Sequence, residues 1–163
     1  MRTPHTPPAN GMAFIMAPDN GPPPRTSQGS SIGIMDESSE DNVQQLAVEL
    51  DTCKDIGDID GNHIAIDTKS VLNSVTAKSL NNIRVNLTSQ RNIKVRVDYN
   101  SWTNLLEVYA AYASDPLVKV IKLQIDLEGT VPRSIFVGFT ASTGSFTERH
   151  QLLDWKFTST VYM

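Results

Sequence analysis

Residues 91–100 read RNIKVRVDYN, and their spacing decides the fold class. Ile93, Val95, Val97 and Tyr99 fall on one side of an extended chain, with Lys94, Arg96 and Asp98 on the other. Successive side chains of a strand point to opposite faces, so a period of two marks a strand with one face buried and one in water. Residues 121–127, IKLQIDL, repeat the pattern, with Ile121, Leu123, Ile125 and Leu127 set against Lys122, Gln124 and Asp126. Working outward, RVNLT (84–88), LLEVYAA (105–111), IFVGFTA (135–141) and LLDWKFT (152–158) are predicted as further strands. Asn-, Asp-, Ser- and Gly-rich turns separate them. Towards the N-terminus, strands are predicted at 11–17, from Gln45 to Thr52, and over Ile64-Ala65-Ile66. Regularly spaced short strands with little helical pattern predict an all-β chain, an antiparallel sandwich or barrel, with no internal repeat or domain boundary.

The composition narrows the function classes. A chain of 163 residues is long enough for one domain with a real core, and 39% hydrophobic with 20% charged residues excludes wholesale disorder. A net charge of −4 and a pI near 5.3 argue against nucleic acid as the main partner. Cys53 is the only cysteine, so no internal disulfide can form. No apolar run reaches the length of a membrane span. The run Met12-Ala13-Phe14-Ile15-Met16-Ala17 is too short for a signal-peptide core, follows Pro-rich sequence and has only Arg2 as a basic flank; the chain as written carries no export signal. Residues 1–8 are predicted as a disordered Pro-rich arm, 19–30 as a loop and 36–42 as a polar turn.

One segment concentrates charge. Residues 49–63, ELDTCKDIGDIDGNH, hold Glu49, Asp51, Asp55, Asp58, Asp60 and His63. Carboxylates this close repel one another unless water or a cation separates them. A calcium-binding EF-hand fails the test of spacing. Asp58, Asp60 and Gly61 at its third, fifth and sixth positions would put Ile56 at the first, with Asp67 at the twelfth. Glu49 and Asp51 instead lie two apart on a strand and share a face. Carboxylate and carbonyl oxygens suit calcium, and an imidazole shifts the preference towards manganese or zinc. Two adjacent ions sharing Asp51 and Asp58 account for both ligand types, and this metal reading is preferred over a solvated acidic loop.

From Ala9-Asn10-Gly11 almost to the C-terminus, the chain resembles the legume-type (L-type) lectins, including the lectin ectodomains of plant receptor kinases. The resemblance rests on NGMAFIMAP, SQGSSIGI, AVELDT, DGNHIAIDTKSV, VRVDYN, IFVGFTASTG and HQLLDWKF, in the family's order and spacing. It implies a concanavalin A-like jelly-roll β-sandwich over 9–163, incomplete at the N-terminus because family domains carry several strands before the turn equivalent to residues 9–11. It implies a carbohydrate-binding domain rather than an enzyme. A metal-dependent hydrolase is set aside because no nucleophile or oxyanion site stands in a recognisable arrangement. By resemblance, Glu49, Asp51, Asp58 and His63 hold a transition metal, typically Mn2+. Asp51, the Cys53 carbonyl, Asp55 and Asp58 hold Ca2+, Ser70 bonds a metal-bound water, and Asp60 has no ligand role. The implied partners are glycans and a second copy paired through the back sheet. The implied location is secreted, vacuolar or extracellular.

The sugar pocket implied by the resemblance departs from the family at three positions. Asn10 stands where the family has an Asp, after an Ala9–Asn10 bond expected to be cis. Ser30 stands where the family has a Gly, and Asp55 where it has an Asn. An amide accepts sugar hydroxyls more weakly than a carboxylate, and Asp55 lacks the amide donor. Ser145 to Arg149 form the specificity loop, where Phe146 either stacks on a sugar or plugs the loop into the core. These departures predict a weakened lectin, with a lectin-like module that no longer binds simple sugars as the alternative. Asn86-Leu87-Thr88 is an N-glycosylation sequon.

Overall fold

The computed structural model describes residues 10–34, 44–71 and 73–160. The Pro-rich arm, the 36–42 turn and Ala9, hence the Ala9–Asn10 bond, lie outside them. The described residues form eight strands: β1 (Gly11–Ala17), β2 (Leu46–Asp51), β3 (His63–Asp67), β4 (Thr76–Ser79), β5 (Ile93–Asn100), β6 (Leu105–Tyr112), β7 (Val118–Gln124) and β8 (Phe136–Ser142). All pairings are antiparallel, in a five-stranded sheet ordered β4-β3-β2-β1-β8 and a three-stranded sheet ordered β5-β6-β7.

The period of two explains how the sheets meet. Leu46 and Val48 of β2 and Ile64 and Ile66 of β3 point towards the second sheet, where they pack with Leu106, Val108, Ala110 and Ile121. Burying each large aliphatic side chain stabilises the fold by about 1.5–3 kcal/mol, so this layer dominates the packing. The second sheet is buried on one face only. Its outer face carries Arg96 over Tyr109 and Lys119 paired with Glu107, which accounts for the strict alternation of β5.

The first sheet differs because its other face is also covered. Ala47, Glu49 and Asp51 of β2 alternate with the core residues, and their cross-strand partners are Asp67, Ala65 and His63 of β3. Ile32 and Ile34 of the 29–34 loop pack there against Ala13 and Ala47. The loop turns through three left-handed residues, Gly29 at φ 61°, Ile32 at φ 48° and Gly33 at φ 72°. As a result, acidic side chains sit on a buried sheet face.

Three expected strands are corrected. Residues 84–88 form a turn: Arg84 is left-handed at φ 58°, and the Asn86 side chain accepts the Thr88 N–H at 2.9 Å. That side chain gives the backbone an alternative to a ladder partner. The IKLQIDL strand stops at Gln124, because Asp126 caps the short helix α1 (Leu127–Thr130) by accepting the Glu128 N–H. Residues 152–158 form no strand and pair with none of the described strands. Leu153, Trp155 and Phe157 there are 62%, 49% and 48% exposed, and Trp155 meets Phe139 edge-on at 5.5 Å. β4 was not foreseen, because TAKS has no apolar alternation.

Candidate metal centre

The antiparallel register of β2 and β3 sets Asp51 directly opposite His63, and the loop between them returns Asp58 to the same place. Ligand atoms of Asp51, Asp58 and His63 lie within 4.8 Å of one another. His63 Nε2 is 3.9 Å from Asp51 Oδ2. The backbone orients both carboxylates: Cys53 N–H donates to Asp51 Oδ1, and Asp55 N–H donates to Asp58 Oδ2 at 2.7 Å.

Asp60 has a role that the sequence did not disclose. His63 Nδ1 lies 2.8 Å from the Asp60 carbonyl. A carbonyl only accepts, so Nδ1 carries the proton and the Nε2 lone pair is turned towards the acidic group. A second partner commonly fixes the tautomer of a metal-binding histidine in this way. The Asp60 carboxylate ties the loop to the start of the next segment, accepting from Ser79 Oγ at 2.5 Å and Asn81 Nδ2 at 3.2 Å.

Glu49 shares the sheet face but lies outside the three-residue group. Its carboxyl faces Asp67, whose side chain is fully buried and whose two oxygens have no well-formed hydrogen bond. Burial is the main cause that pushes Glu49 far above the usual carboxylate range, and the negative charges of Asp67, Asp51 and Asp58 add to it. Burial likewise raises Asp67. Asp51 is pushed up to about 7, chiefly by burial and then by Asp58 and Asp55, against a lowering from the Cys53 N–H. None of the ion pairs among the described residues brings a Lys or Arg to Glu49, Asp51, Asp58 or Asp67. The Asp51 and Asp58 carboxylate oxygens beside one imidazole nitrogen form a donor set that fits a divalent cation. Asp67 was missed as a site residue, although it follows His63 by four positions on the same strand face.

The other expected residues are dispersed around this group. Asp55 Oδ2 accepts from Asn10 Nδ2 at 3.2 Å, and Cys53 is half-buried in the same loop. Asn10 is buried at φ 60°, and its carbonyl accepts the Thr52 N–H at 2.7 Å. A Cβ on Gly144 would come within 2.3 Å of Asn10 Oδ1, so the 143–146 turn passes directly over the Asn10 amide. Ser30 and Ser145 are exposed. Phe146 is 47% exposed and is not plugged into the core. Ser70 is buried and accepts the Asn73 N–H at 3.2 Å.

The model of the legume lectin domain family matches residues 1–162. The chain belongs to the legume lectin family. Among its relatives, the anti-H(O) lectin of Lotus tetragonolobus is 34% identical over 158 residues, which cover 94% of this chain and 62% of that protein. The L-type lectin-domain containing receptor kinase VIII.2 of Arabidopsis thaliana is 32% identical over 152 residues, covering 91% of this chain and 21% of the kinase. Among solved structures, lectin I of Ulex europaeus, in complex with the methyl glycoside of α-L-fucose, superposes with a TM-score of 0.71 at 26% identity. That match covers 84% of this chain and 56% of the Ulex chain. This legume lectin domain therefore spans less than two-thirds of the length of each of these relatives. Their two-sheet architecture accounts for the β-sandwich seen here. Among the described residues, no helix of the lectin domain is long and apolar enough to cross a membrane.

Proposed function

We propose that this legume lectin domain binds glycans weakly through a metal-ordered loop. The observation that carries the reading is the convergence of Asp51, Asp58 and His63 on a sheet face that carries two further acids and, among the described residues, no ion pair with a Lys or Arg. Asp51, Asp58 and His63, with Glu49 released from Asp67, would hold a transition metal such as Mn2+. Asp51, Asp58, Asp55 and the Cys53 carbonyl would hold Ca2+. Bound there, the ions supply positive charge that cross-links the loop and act on no bond of the ligand. Ordering residues 51–63 also holds Asp55, and through Asp55 the Asn10 amide, against the 143–146 turn. Asn10, Ser30, Asp55, Ser145 and Phe146 would contact the sugar.

The Asn10–Asp55 hydrogen bond favours a second reading, a lectin-like interaction module that no longer takes simple sugars. It uses an Asn10 amide donor inside the pocket itself, leaving less polar capacity for hydroxyls. A glycan array with both ions present, run on the wild type and Asn10→Asp, separates the readings. Weak binding that strengthens in Asn10→Asp supports the lectin. If neither protein retains any glycan while both melt cooperatively, sugar binding is refuted and the interaction module stands.

A further inference from the structure

The turn at 84–92 holds a side chain that neither the core nor the acidic face uses. Asn86 is the only asparagine of the chain followed by the Asn-x-Ser/Thr pattern, and Leu87 between its ends is not proline. Asn86 and Thr88 are both exposed. The backbone around them is held firmly. Asn86 N–H donates to the Tyr112 hydroxyl at 3.0 Å, and Leu87 N–H donates to Asn62 Oδ1 at 2.9 Å. Asn62 Nδ2 in turn donates to the Val85 carbonyl at 2.8 Å.

The side chain is arranged differently. Asn86 Oδ1 accepts twice from Thr88, from its N–H at 2.9 Å and its hydroxyl at 2.8 Å. Asn86 Nδ2 donates no hydrogen bond within the described residues. Both hydrogen bonds fix the plane of the amide on an exposed residue. The neighbouring asparagines are engaged: Asn62 uses both ends of its amide, and Asn81 donates from Nδ2 to Asp60.

We propose that Asn86 is a covalent N-glycosylation site, modified by an oligosaccharide carried on a lipid pyrophosphate in the secretory lumen. The Asn86 nitrogen attacks the anomeric carbon of the donor. A C–N bond forms as the bond from that carbon to the pyrophosphate oxygen breaks. The lipid pyrophosphate leaves with the electron pair, the proton given up by the amide nitrogen passes through solvent to the released pyrophosphate, and nothing is oxidised or reduced. Thr88 contributes the hydroxyl held on Oδ1. The finished glycan projects from an exposed turn whose backbone hydrogen bonds it leaves in place. The proposal requires entry into the secretory lumen, which family membership implies, and it is independent of metal or sugar binding.

The test is translation of the full chain, fused to a cleavable leader, in the presence of endoplasmic-reticulum microsomes. Only protease-protected product is scored, so every scored molecule has met the transferase. The wild type is expected to show a single mobility step removed by endoglycosidase H. Asn86→Gln and Thr88→Ala should lose the step, and Thr88→Ser should keep it, because serine retains the hydroxyl. The assay reads modification during translocation, so a variant that folds poorly is still informative. Protected wild-type chain without the step overturns the proposal, as does a step that survives in Asn86→Gln.

Discussion

Replacing Asp51 with Asn should weaken the loss of stability with rising pH in the metal-free domain. Burial beside Asp58 and Asp55 raises the Asp51 carboxyl from the ordinary 3.8 to about 7. Between those values the folded chain keeps a proton that the unfolded chain has released. The folded state therefore binds more protons, and its stability falls as pH rises across the window. At about 1.36 kcal/mol per tenfold change in proton affinity, the full loss from this one group reaches about 4 kcal/mol by pH 8. Asn is neutral at every pH and can still accept the Cys53 N–H. In EDTA, Asp51→Asn and wild type should melt together near pH 4 and separate steadily above it. At about 2–4 °C per kcal/mol for a domain of this size, the variant should melt on the order of 10 °C higher at pH 8. The assay is a series of thermal melts followed by circular dichroism in steps between pH 4 and 8. Excess Ca2+ and Mn2+ should invert the order, since the cation needs the ionised carboxylate that the variant lacks. Parallel melting curves in EDTA across the whole range would refute the buried-charge argument.

Three other outcomes follow from the same geometry. Asp60→Ala removes the acceptor of Ser79 Oγ and Asn81 Nδ2 but keeps the carbonyl on His63 Nδ1; it should cost about 1–3 kcal/mol in a urea melt and weaken Mn2+ binding less than His63→Ala does. The reverse ranking in calorimetric titration would show that the loop tether matters more than the imidazole. Gly11→Ala places a Cβ 2.3 Å from the Leu50 carbonyl in the β1–β2 ladder, so it should destabilise by about 1–3 kcal/mol or more, measured by the same melt. Gly144→Ala meets the Asn10 side chain first rather than backbone; it should leave the melting temperature within a few degrees while changing any glycan-array signal.

The strands that were legible are those whose two faces have different fates. β5 and β7 have one face against the first sheet and one in water, so Val97 and Ile121 announced themselves by alternation. β2 and β3 are covered on both faces, and there the useful signal was parity: Glu49 and Asp51 share a face whether or not that face is wet. The same parity applied to His63 and Asp67 could have added Asp67 to the site. Asp60 was not recoverable in this way, because its contribution to His63 comes from a backbone carbonyl, which any residue type supplies. RVNLT has strand-like composition, yet the Asn86 side chain wins the competition for the Thr88 N–H. In residues 152–158 the alternation is real, but a strand forms only by pairing with another, and these residues touch β8 through the Trp155 ring without joining its ladder.

The central claim is that the buried acids exist to hold divalent cations. Its most direct test is the thermal melt of the wild-type domain at pH 7.5 in EDTA and then in excess Ca2+ plus Mn2+, with Asp58→Asn and His63→Ala in parallel. Binding to the native state alone stabilises by about 2.7 kcal/mol at one hundred times the dissociation constant. The account predicts one cooperative transition that moves up by several degrees with metal in the wild type and stays within error in both variants. A cooperative wild-type transition at the same temperature with and without metal would contradict it.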